Sequence, residues 1–163
     1  NSSNGYAVIC TNNAYLYRTP TLSENYINKY FLLEESYFVK VLSRPNDEFY
    51  QVEYLDIMGY VKVDNIEFVI ETPQNPYLNY VTMDIKSHQD VNLLKSPNGK
   101  NDDFNILYKL PHNAKNLVYY GKISAVEQEN FMGNIWYFCS YNLDNTNVLG
   151  YIYGPYSNKK TWI

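Results

Sequence analysis

Residues 14–20 read AYLYRTP, and residues 91–97 read VNLLKSP. Both stretches run from an apolar pair through a basic residue and a hydroxyl residue to a proline. Two further motifs follow in the same order in each half: 48–52 (EFYQV) with 135–139 (IWYFC), and 58–61 (MGYV) with 149–152 (LGYI). Three matched motifs in the same order seldom arise by chance, so the sequence predicts an internal repeat.

The remainder of the chain favours an all-β fold. Short apolar runs recur every eight to fifteen residues or so and are broken by Asn, Pro, Gly, Ser and Asp, which is typical of barrels and sandwiches. The β-branched and aromatic residues in these runs suit a pleated, half-buried surface. The predicted strands are 6–10, 14–17, 37–42, 49–55, 57–63, 66–70, 81–86, 91–94, 106–110, 117–120, 135–141 and 149–153.

Two features depart from this regular pattern. Apolar and aromatic residues within 22–33 lie at near-helical spacing, which is compatible with a short helix, although the stretch is brief and rich in asparagine. The second copy of the repeat is also longer than the first, with extra residues around 123–133 and 144–147. Because both segments are polar, they are interpreted as loop insertions.

A linker is predicted between the two copies. Residues 71–76 read ETPQNP, and two prolines three residues apart disfavour both a helix and a central strand. We therefore expect a first unit at 1–71, a linker at 72–80 and a second unit at 81–163. The linker is short and stiffened by proline, so the sequence favours neighbouring units over freely tumbling ones.

The ordered motifs resemble bacterial Src-homology-3 domains, the SH3b family. The family pattern has an opening Asn-Leu-Arg-Ser/Thr-Pro segment, a middle aromatic residue followed by Val, and a closing Gly-Tyr-Val. These elements fall at 16–20, 49–52 and 59–61 in the first copy, and at 92–97, 136–139 and 150–152 in the second. The first copy departs from the pattern with Tyr15 in place of Asn and Phe49 in place of Trp. The resemblance implies two small SH3-like β-barrels in tandem.

Composition excludes several classes of function. The 163 residues carry a net charge of −4 at pH 7, and the isoelectric point is near 5.1, which disfavours a nucleic-acid surface. No apolar run reaches the roughly 18 residues that a membrane span requires. The sequence begins at Asn1 without a charged-then-apolar leader, so we expect any targeting segment to lie outside it.

Catalytic and metal chemistry find little support in the sequence. Cys10 and Cys139 both lie in apolar runs and are interpreted as buried free thiols, with a long-range disulfide or a reactive thiol as alternatives. His88 and His112 lie in polar segments far from any zinc-site spacing. The acidic and amide-rich stretch 144–147 lacks the spacing of a calcium loop. We therefore predict no enzyme, no metal and no cofactor.

A recognition surface is more plausible, because the chain has 19 tyrosines. Tyrosine offers an apolar face and a polar tip at low entropic cost, although a compositional bias could also raise its number. Aromatic residues are denser in the first copy, which we expect to be the binder. The candidate ligand-binding residues are Tyr15, Tyr17, Tyr26, Tyr30, Tyr50, Tyr60, Trp136 and Tyr151.

The family resemblance also implies a function. SH3b domains are non-catalytic modules that hold a larger protein to bacterial cell-wall peptide or to another extracellular ligand. The expected partner is therefore cell-wall peptide, peptidoglycan or a peptide segment of a protein, and the expected location is extracellular or on the bacterial surface. The alternative is a structural role, in which the barrels act as spacers or as a docking face for another domain of the same protein.

Overall fold

A computed structural model describes residues 5–23, 26–76, 81–98, 100–124 and 135–161. The chain divides into two compact units, Asn1–Asn79 and Tyr80–Ile163. The division falls within the predicted linker 72–80, of which 77–80 lie outside the described residues. Strands dominate the described parts of both units, as the sequence predicts, and the only helical segments there are single 3₁₀ turns.

The first unit contains seven strands within the described residues. They are β1 (Tyr6–Ile9), β2 (Ala14–Tyr17), β3 (Lys29–Leu33), β4 (Phe38–Ser43), β5 (Phe49–Tyr54), β6 (Ile57–Lys62) and β7 (Ile66–Phe68). Two 3₁₀ turns accompany them, Tyr26–Asn28 before β3 and Val63–Asn65 before β7. All pairings in the sheet are antiparallel, and the strand order is β3-β2-β6-β5-β4-β1-β7.

The second unit repeats this arrangement strand for strand. Its strands are β8 (Val81–Ile85), β9 (Val91–Leu94), β10 (Ile106–Leu110), β11 (Leu117–Ser124), β12 (Ile135–Leu143), β13 (Thr146–Tyr153) and β14 (Ser157–Thr161). The order β10-β9-β13-β12-β11-β8-β14 is the first order shifted by seven. A 3₁₀ turn, Gly154–Tyr156, precedes the last strand just as Val63–Asn65 precedes β7. The repeat seen in the sequence is therefore a repeat of topology.

Each sheet coils on itself without closing. Phe31 on β3 and Tyr54 on β5 are three strand spacings apart in the ladder, about 14 Å in a flat sheet, yet their ring centroids are 6.1 Å apart. The equivalent rings in the second unit, Tyr108 and Tyr141, stack at 5.9 Å. In the described residues the two outer strands of each sheet do not pair with each other. In place of the expected SH3-like barrels, the described residues form two strongly coiled seven-stranded sheets with open ladders.

The cores lie inside the two coils and are built from alternating strand positions. In the first unit, Leu16, Phe31, Val41, Val52 and Val61 are completely buried. The core of the second unit comprises Met83, Ile85, Val91, Leu93, Leu110, Ala114, Leu117, Tyr119, Cys139 and Ile152. Burying a branched or aromatic side chain contributes about 1.5–3 kcal/mol relative to leaving it exposed. The motifs that define the repeat therefore include the main core positions of each unit.

Two strands and one turn differ from the sequence prediction. Strand β3 lies within 22–33, where the near-helical spacing instead corresponds to the 3₁₀ turn Tyr26–Asn28 followed directly by an extended segment. Strand β14 (SNKKT) has no apolar alternation, but it pairs with β8 along its whole length. The extra residues at 144–147 lengthen the β12–β13 hairpin, whose turn at Asp144 and Asn145 has positive φ angles of 50° and 69°.

An asparagine secures the β2–β3 loop in the first unit and the β9–β10 loop in the second. Asn105 is 7% exposed; its Oδ1 accepts a hydrogen bond from Ser96 N at 2.9 Å, and its Nδ2 donates to Lys100 O at 2.8 Å. Asn28 occupies the equivalent position and accepts from Thr19 N at 3.1 Å. The two loops are therefore held by the same side-chain amide in both units.

Candidate functional site

A cavity of about 450 Å³ lies on the second unit. Its walls come from the β8–β9 segment, strands β9, β10, β12 and β13, the β9–β10 loop and the 3₁₀ turn at Gly154–Tyr156. The lining residues are Ser87, Gln89, Asp90, Val91, Asn92, Leu94, Asn101, Lys109, Trp136, Tyr153 and Tyr156. Such a concave surface with aromatic walls and a few polar groups is typical of ligand sites.

Four of the lining residues form a row that crosses four adjacent strands. Lys109 on β10 is the register partner of Asn92, and Trp136 on β12 is the partner of Tyr153. The pairing of Tyr151 with Leu94 places Asn92 level with Tyr153, because the two strands run antiparallel. Strand register therefore brings residues from distant parts of the sequence into one line.

Three aromatic rings form a continuous wall of the cavity, and two of them, Trp136 and Tyr153, belong to this row. The Trp136 and Tyr153 ring centroids are 5.5 Å apart, and those of Tyr153 and Tyr156 are 5.3 Å apart. Gly154 allows the 3₁₀ turn to lie against β12, since a Cβ at this position would be 2.9 Å from Ile135 O. Edge-on contacts stabilise aromatic clusters by about 0.5–1.5 kcal/mol per pair beyond area burial. The wall is therefore a preformed apolar surface.

Two polar atoms of cavity-lining residues are buried without a hydrogen-bond partner in the described part of the chain. They are the indole Nε1 of Trp136, a residue that is 5% exposed, and Oδ1 of Asn92. The amide nitrogen of Asn92 does have a partner: Nδ2 donates a hydrogen bond to Asn101 Oδ1 at 3.0 Å. A buried unpaired polar atom costs about 1–3 kcal/mol. The lining residues of this cavity therefore include one buried donor and one buried acceptor that the described residues leave unpaired.

The cavity is polar but has no net formal charge at neutral pH. Its lining includes one carboxylate, Asp90, and one ammonium, Lys109. Oδ1 of Asp90 accepts a hydrogen bond from the backbone N of His112 at 3.0 Å and lies 3.6 Å from that residue's Nδ1. The balance of charges favours a neutral polar ligand over a polyanion or a polycation.

The equivalent row in the first unit has different chemistry. It consists of Leu32, Tyr15, Lys62 and Phe49, according to the same register rules. The Lys62 ammonium, in place of Tyr153, lies 5.5 Å from the ring centroid of Tyr17. A second ammonium, that of Lys29, lies 4.3 Å from the ring centroid of Tyr15. The first unit therefore has an ammonium in place of Tyr153 and a tyrosine ring in contact with an ammonium in place of Asn92.

The structure places the predicted ligand-binding residues in different environments. Trp136 lines the cavity, whereas Tyr151 is buried, 1% exposed, with its ring 4.9 Å from that of Phe138. In the first unit, Tyr17 is 2% exposed and packs edge-on against Phe49 at 5.5 Å. Tyr17 and Tyr151 are therefore buried against neighbouring aromatic rings in this structure.

The other candidates belong to the first unit. Tyr15 is partly buried on β2, and Tyr30 on β3 has the Arg18 guanidinium 3.9 Å from its ring centroid. Tyr50 on β5 contacts Phe68, and Tyr60 on β6 is the register partner of Tyr17. The Tyr26 side chain lies outside the described residues. The role of these five in ligand binding stays a prediction.

The potential nucleophiles lie apart from the cavity lining. Cys139 is a free, fully buried thiol on β12, and burial raises its pKa well above the usual range, which keeps it protonated. Cys10 is also free, and its pKa is raised by burial and by the charge of Glu67. Within the described residues there is no group of three or more metal-binding side chains. No helix in that part of the chain is long and apolar enough to cross a membrane.

Sequence reasoning missed most of the cavity. Asn92 was noted as a motif residue, but Asp90, Lys109, Tyr153 and Tyr156 were not predicted. The GPY segment after β13 was an available signal, because a proline and an aromatic residue directly after a strand are compatible with a tight turn. The convergence of these residues depends on strand register, which the motifs alone do not reveal.

Comparisons with known proteins give little further information. No family model matches the chain, and no curated protein matches it. Among solved structures, NlpC2 from Trichomonas vaginalis aligns over 97% of this chain and 49% of its own, with 14% identity and a TM-score of 0.36. NlpC1 from the same organism aligns over 94% and 45%, with 16% identity and a TM-score of 0.34. The chain spans about half the length of these structures, and likeness at this level carries no argument about its fold or function.

Proposed function

We propose that the chain is a non-catalytic, tandem SH3b-like binding module of a bacterial surface or secreted protein. It recognises cell-wall peptide or another extended peptide through the aromatic cavity of its second unit. The observation that carries this proposal is the buried indole of Trp136, whose Nε1 has no partner in the described residues although the residue lines a cavity. A binding surface explains both the cavity and the unpaired donor.

The SH3b-like assignment is supported by the positions of the motifs. Phe49 and Trp136, the middle aromatics of the two copies, both lie at the start of the fifth strand of their unit, and both pair with the end of the next strand. The closing motifs carry Gly59 and Gly150 at equivalent strand positions.

A peptide is the ligand class that the cavity suits best. Tyr153 and Tyr156 offer flat apolar surface, while Asn92 and Trp136 offer an acceptor and a donor for main-chain groups. Extended peptides gain affinity from main-chain hydrogen bonds and specificity from pockets for side chains. The lack of net charge in the cavity gives no advantage to anionic wall polymers. We therefore expect binding in the second unit and not in the tyrosine-rich first one.

Retention on purified bacterial cell walls, with and without their attached polymers, tests the proposal. The wild-type protein should sediment with both preparations, and Tyr153→Lys, which installs the residue of the first unit, should weaken retention at least several-fold. Lys62→Tyr, the reverse exchange in the first unit, is the matched control and should be retained like the wild type. Absence of retention in both preparations, or equal retention of both variants, would contradict the proposal.

The alternative function is a structural spacer or docking module, and one observation favours it. Phe104 is 92% exposed, and Ile27, which occupies the equivalent place before Asn28 in the first unit, is 60% exposed. Exposed apolar side chains at matched positions suit contact with another domain. Under this alternative the chain binds no cell wall, and Phe104→Ser and Ile27→Ser would instead weaken association with that domain.

A further inference from the structure

Asn92 and Trp136 together define a specific chemical requirement for the ligand. An indole nitrogen can only donate a hydrogen bond, so Trp136 Nε1 requires an acceptor. The Asn92 amide is oriented by its bond from Nδ2 to Asn101, 3.0 Å, so its remaining buried atom, Oδ1, requires a donor. A ligand that satisfies both must carry an acceptor and a donor close together.

The spacing of the two residues narrows this requirement. Asn92 and Trp136 lie on either side of Tyr153, each one strand away in the same transverse row. Neighbouring strands are about 4.8 Å apart, so their Cα atoms are separated by roughly 10 Å. A ligand group that bonds to both residues therefore directs its donor towards the β9 side of Tyr153 and its acceptor towards the β12 side.

A trans secondary amide has this geometry. Its planar C–N bond holds the carbonyl oxygen and the N–H on opposite sides. We infer that the cavity recognises one secondary amide of its ligand, with the carbonyl accepting from Trp136 Nε1 and the N–H donating to Asn92 Oδ1. This inference rests on the proposed ligand-binding function. A carboxylate lacks the donor and an ammonium lacks the acceptor, which agrees with the lack of net charge in the lining.

Access to the two atoms requires a small rearrangement. Each exposes less than 1 Å² to solvent, so a lining side chain must rotate before a ligand reaches them. The bound amide then forms one hydrogen bond with the unpaired donor and one with the unpaired acceptor. A ligand group that can form only one of these bonds leaves a buried polar atom unpaired, so the site is selective for amides.

Secondary amides occur both in peptide bonds and in the N-acetyl groups of amino sugars. The test therefore uses three probes with the full chain: a blocked trialanine peptide, the depsipeptide in which esters replace all its amides, and N-acetylglucosamine. Isothermal titration should show the peptide binding about three- to tenfold more tightly than the depsipeptide, which lacks the N–H donors. If the glycan supplies the amide, N-acetylglucosamine binds and the blocked peptide does not.

Variants of Asn92 assign the preference to this residue. In Asn92→Leu the ratio of peptide to depsipeptide affinity should fall to about one, whereas Asn92→Asp, which keeps an acceptor, should retain the preference. If the preferred ligand is the sugar, the same variants are tested with N-acetylglucosamine and glucose. Trp136→Phe should weaken amide and ester ligands by similar factors, since both keep the carbonyl.

The outcomes separate the two proposals. Two outcomes overturn the amide inference alone. In the first, the wild-type chain binds cell walls but shows no preference for amide over ester. In the second, it binds cell walls but none of the amide probes. An unchanged preference in Asn92→Leu also overturns it. A chain that binds neither cell walls nor any probe overturns the proposed function itself.

Discussion

Gly59 lies so close to β2 that a Cβ atom built on it would be 2.8 Å from the carbonyl oxygen of Tyr17. The same relationship recurs in the second unit, where a Cβ on Gly150 would be 2.8 Å from the carbonyl oxygen of Leu94. The backbones of the crossing strands therefore approach each other at one matched point in both units. Glycine is required there because no other residue lacks the Cβ.

Replacing either glycine with alanine should destabilise its unit. The new methyl group meets a backbone oxygen that cannot move aside, and overpacking of this kind costs about 1–3 kcal/mol. Urea unfolding of Gly59→Ala and Gly150→Ala measures the effect, with Met58→Ala and Leu149→Ala as controls at the neighbouring exposed positions. If Gly59→Ala or Gly150→Ala were as stable to urea as its control, the two crossing strands could move apart without a loss of unfolding free energy, which would contradict this prediction.

The buried asparagine of the second unit should contribute more stability than its counterpart in the first. Asn105→Ala leaves the backbone N–H of Ser96 without its side-chain acceptor and should cost about 1–3 kcal/mol. Asn28→Ala should cost less, because the bonds of Asn28 are exposed and water replaces them. Chemical denaturation of the two variants provides the comparison. Equal losses of unfolding free energy in Asn105→Ala and Asn28→Ala would contradict the prediction that the more buried asparagine contributes more.

Trp136→Phe should leave stability nearly unchanged while it weakens ligand binding. The substitution removes a buried donor that has no partner in the described residues, which raises the free energy of unfolding. This increase offsets the loss caused by the poorer packing of the smaller phenyl ring. The expected change in the free energy of unfolding is within about 1 kcal/mol in either direction. A loss of several kcal/mol in thermal or urea unfolding would mean that the indole mainly stabilises the fold.

The two thiols should differ in reactivity. Cys139 is fully buried, and its raised pKa keeps the nucleophilic thiolate scarce, so a soluble disulfide reagent should label it only after unfolding. Cys10 is partly exposed and should react in the native protein. Because its pKa is raised as well, the labelling rate should increase as the pH rises towards that pKa. Labelling of native Cys10→Ser at the same rate as the wild type would contradict this assignment.

Much of the fold could be predicted because it depends on local patterns. Twelve strands were identified from alternating apolar residues and turn residues, and the repeat was identified from three ordered motifs. Strand β14 was missed because its residues carry no apolar pattern and its place is determined by backbone pairing with β8. Strand β3 was missed because aromatic residues near a 3₁₀ turn imitate helical spacing.

The candidate site could be predicted only in part. Trp136 was predicted from its motif, whereas the tyrosines of the first copy were predicted as binding residues only because they are numerous. Exposure could not be inferred from residue type: Tyr17 and Tyr151 are buried, while Tyr15 and Tyr30 are partly exposed beneath cations. Tyr15 and Tyr17 share one face of β2, with ring centroids 6.4 Å apart, and they differ in burial because Phe49 packs edge-on against Tyr17.

The sequence by itself determined the all-β class, the internal repeat and the matched glycines, since these follow from residue type and spacing. Only the tertiary structure decided that the ladders stay open and that the described cavity belongs to the second unit. The physical reason is register: pairing across β10, β9, β13 and β12 aligns Lys109, Asn92, Tyr153 and Trp136. The same register in the first unit aligns side chains of different chemistry, so one topology produces two different surfaces.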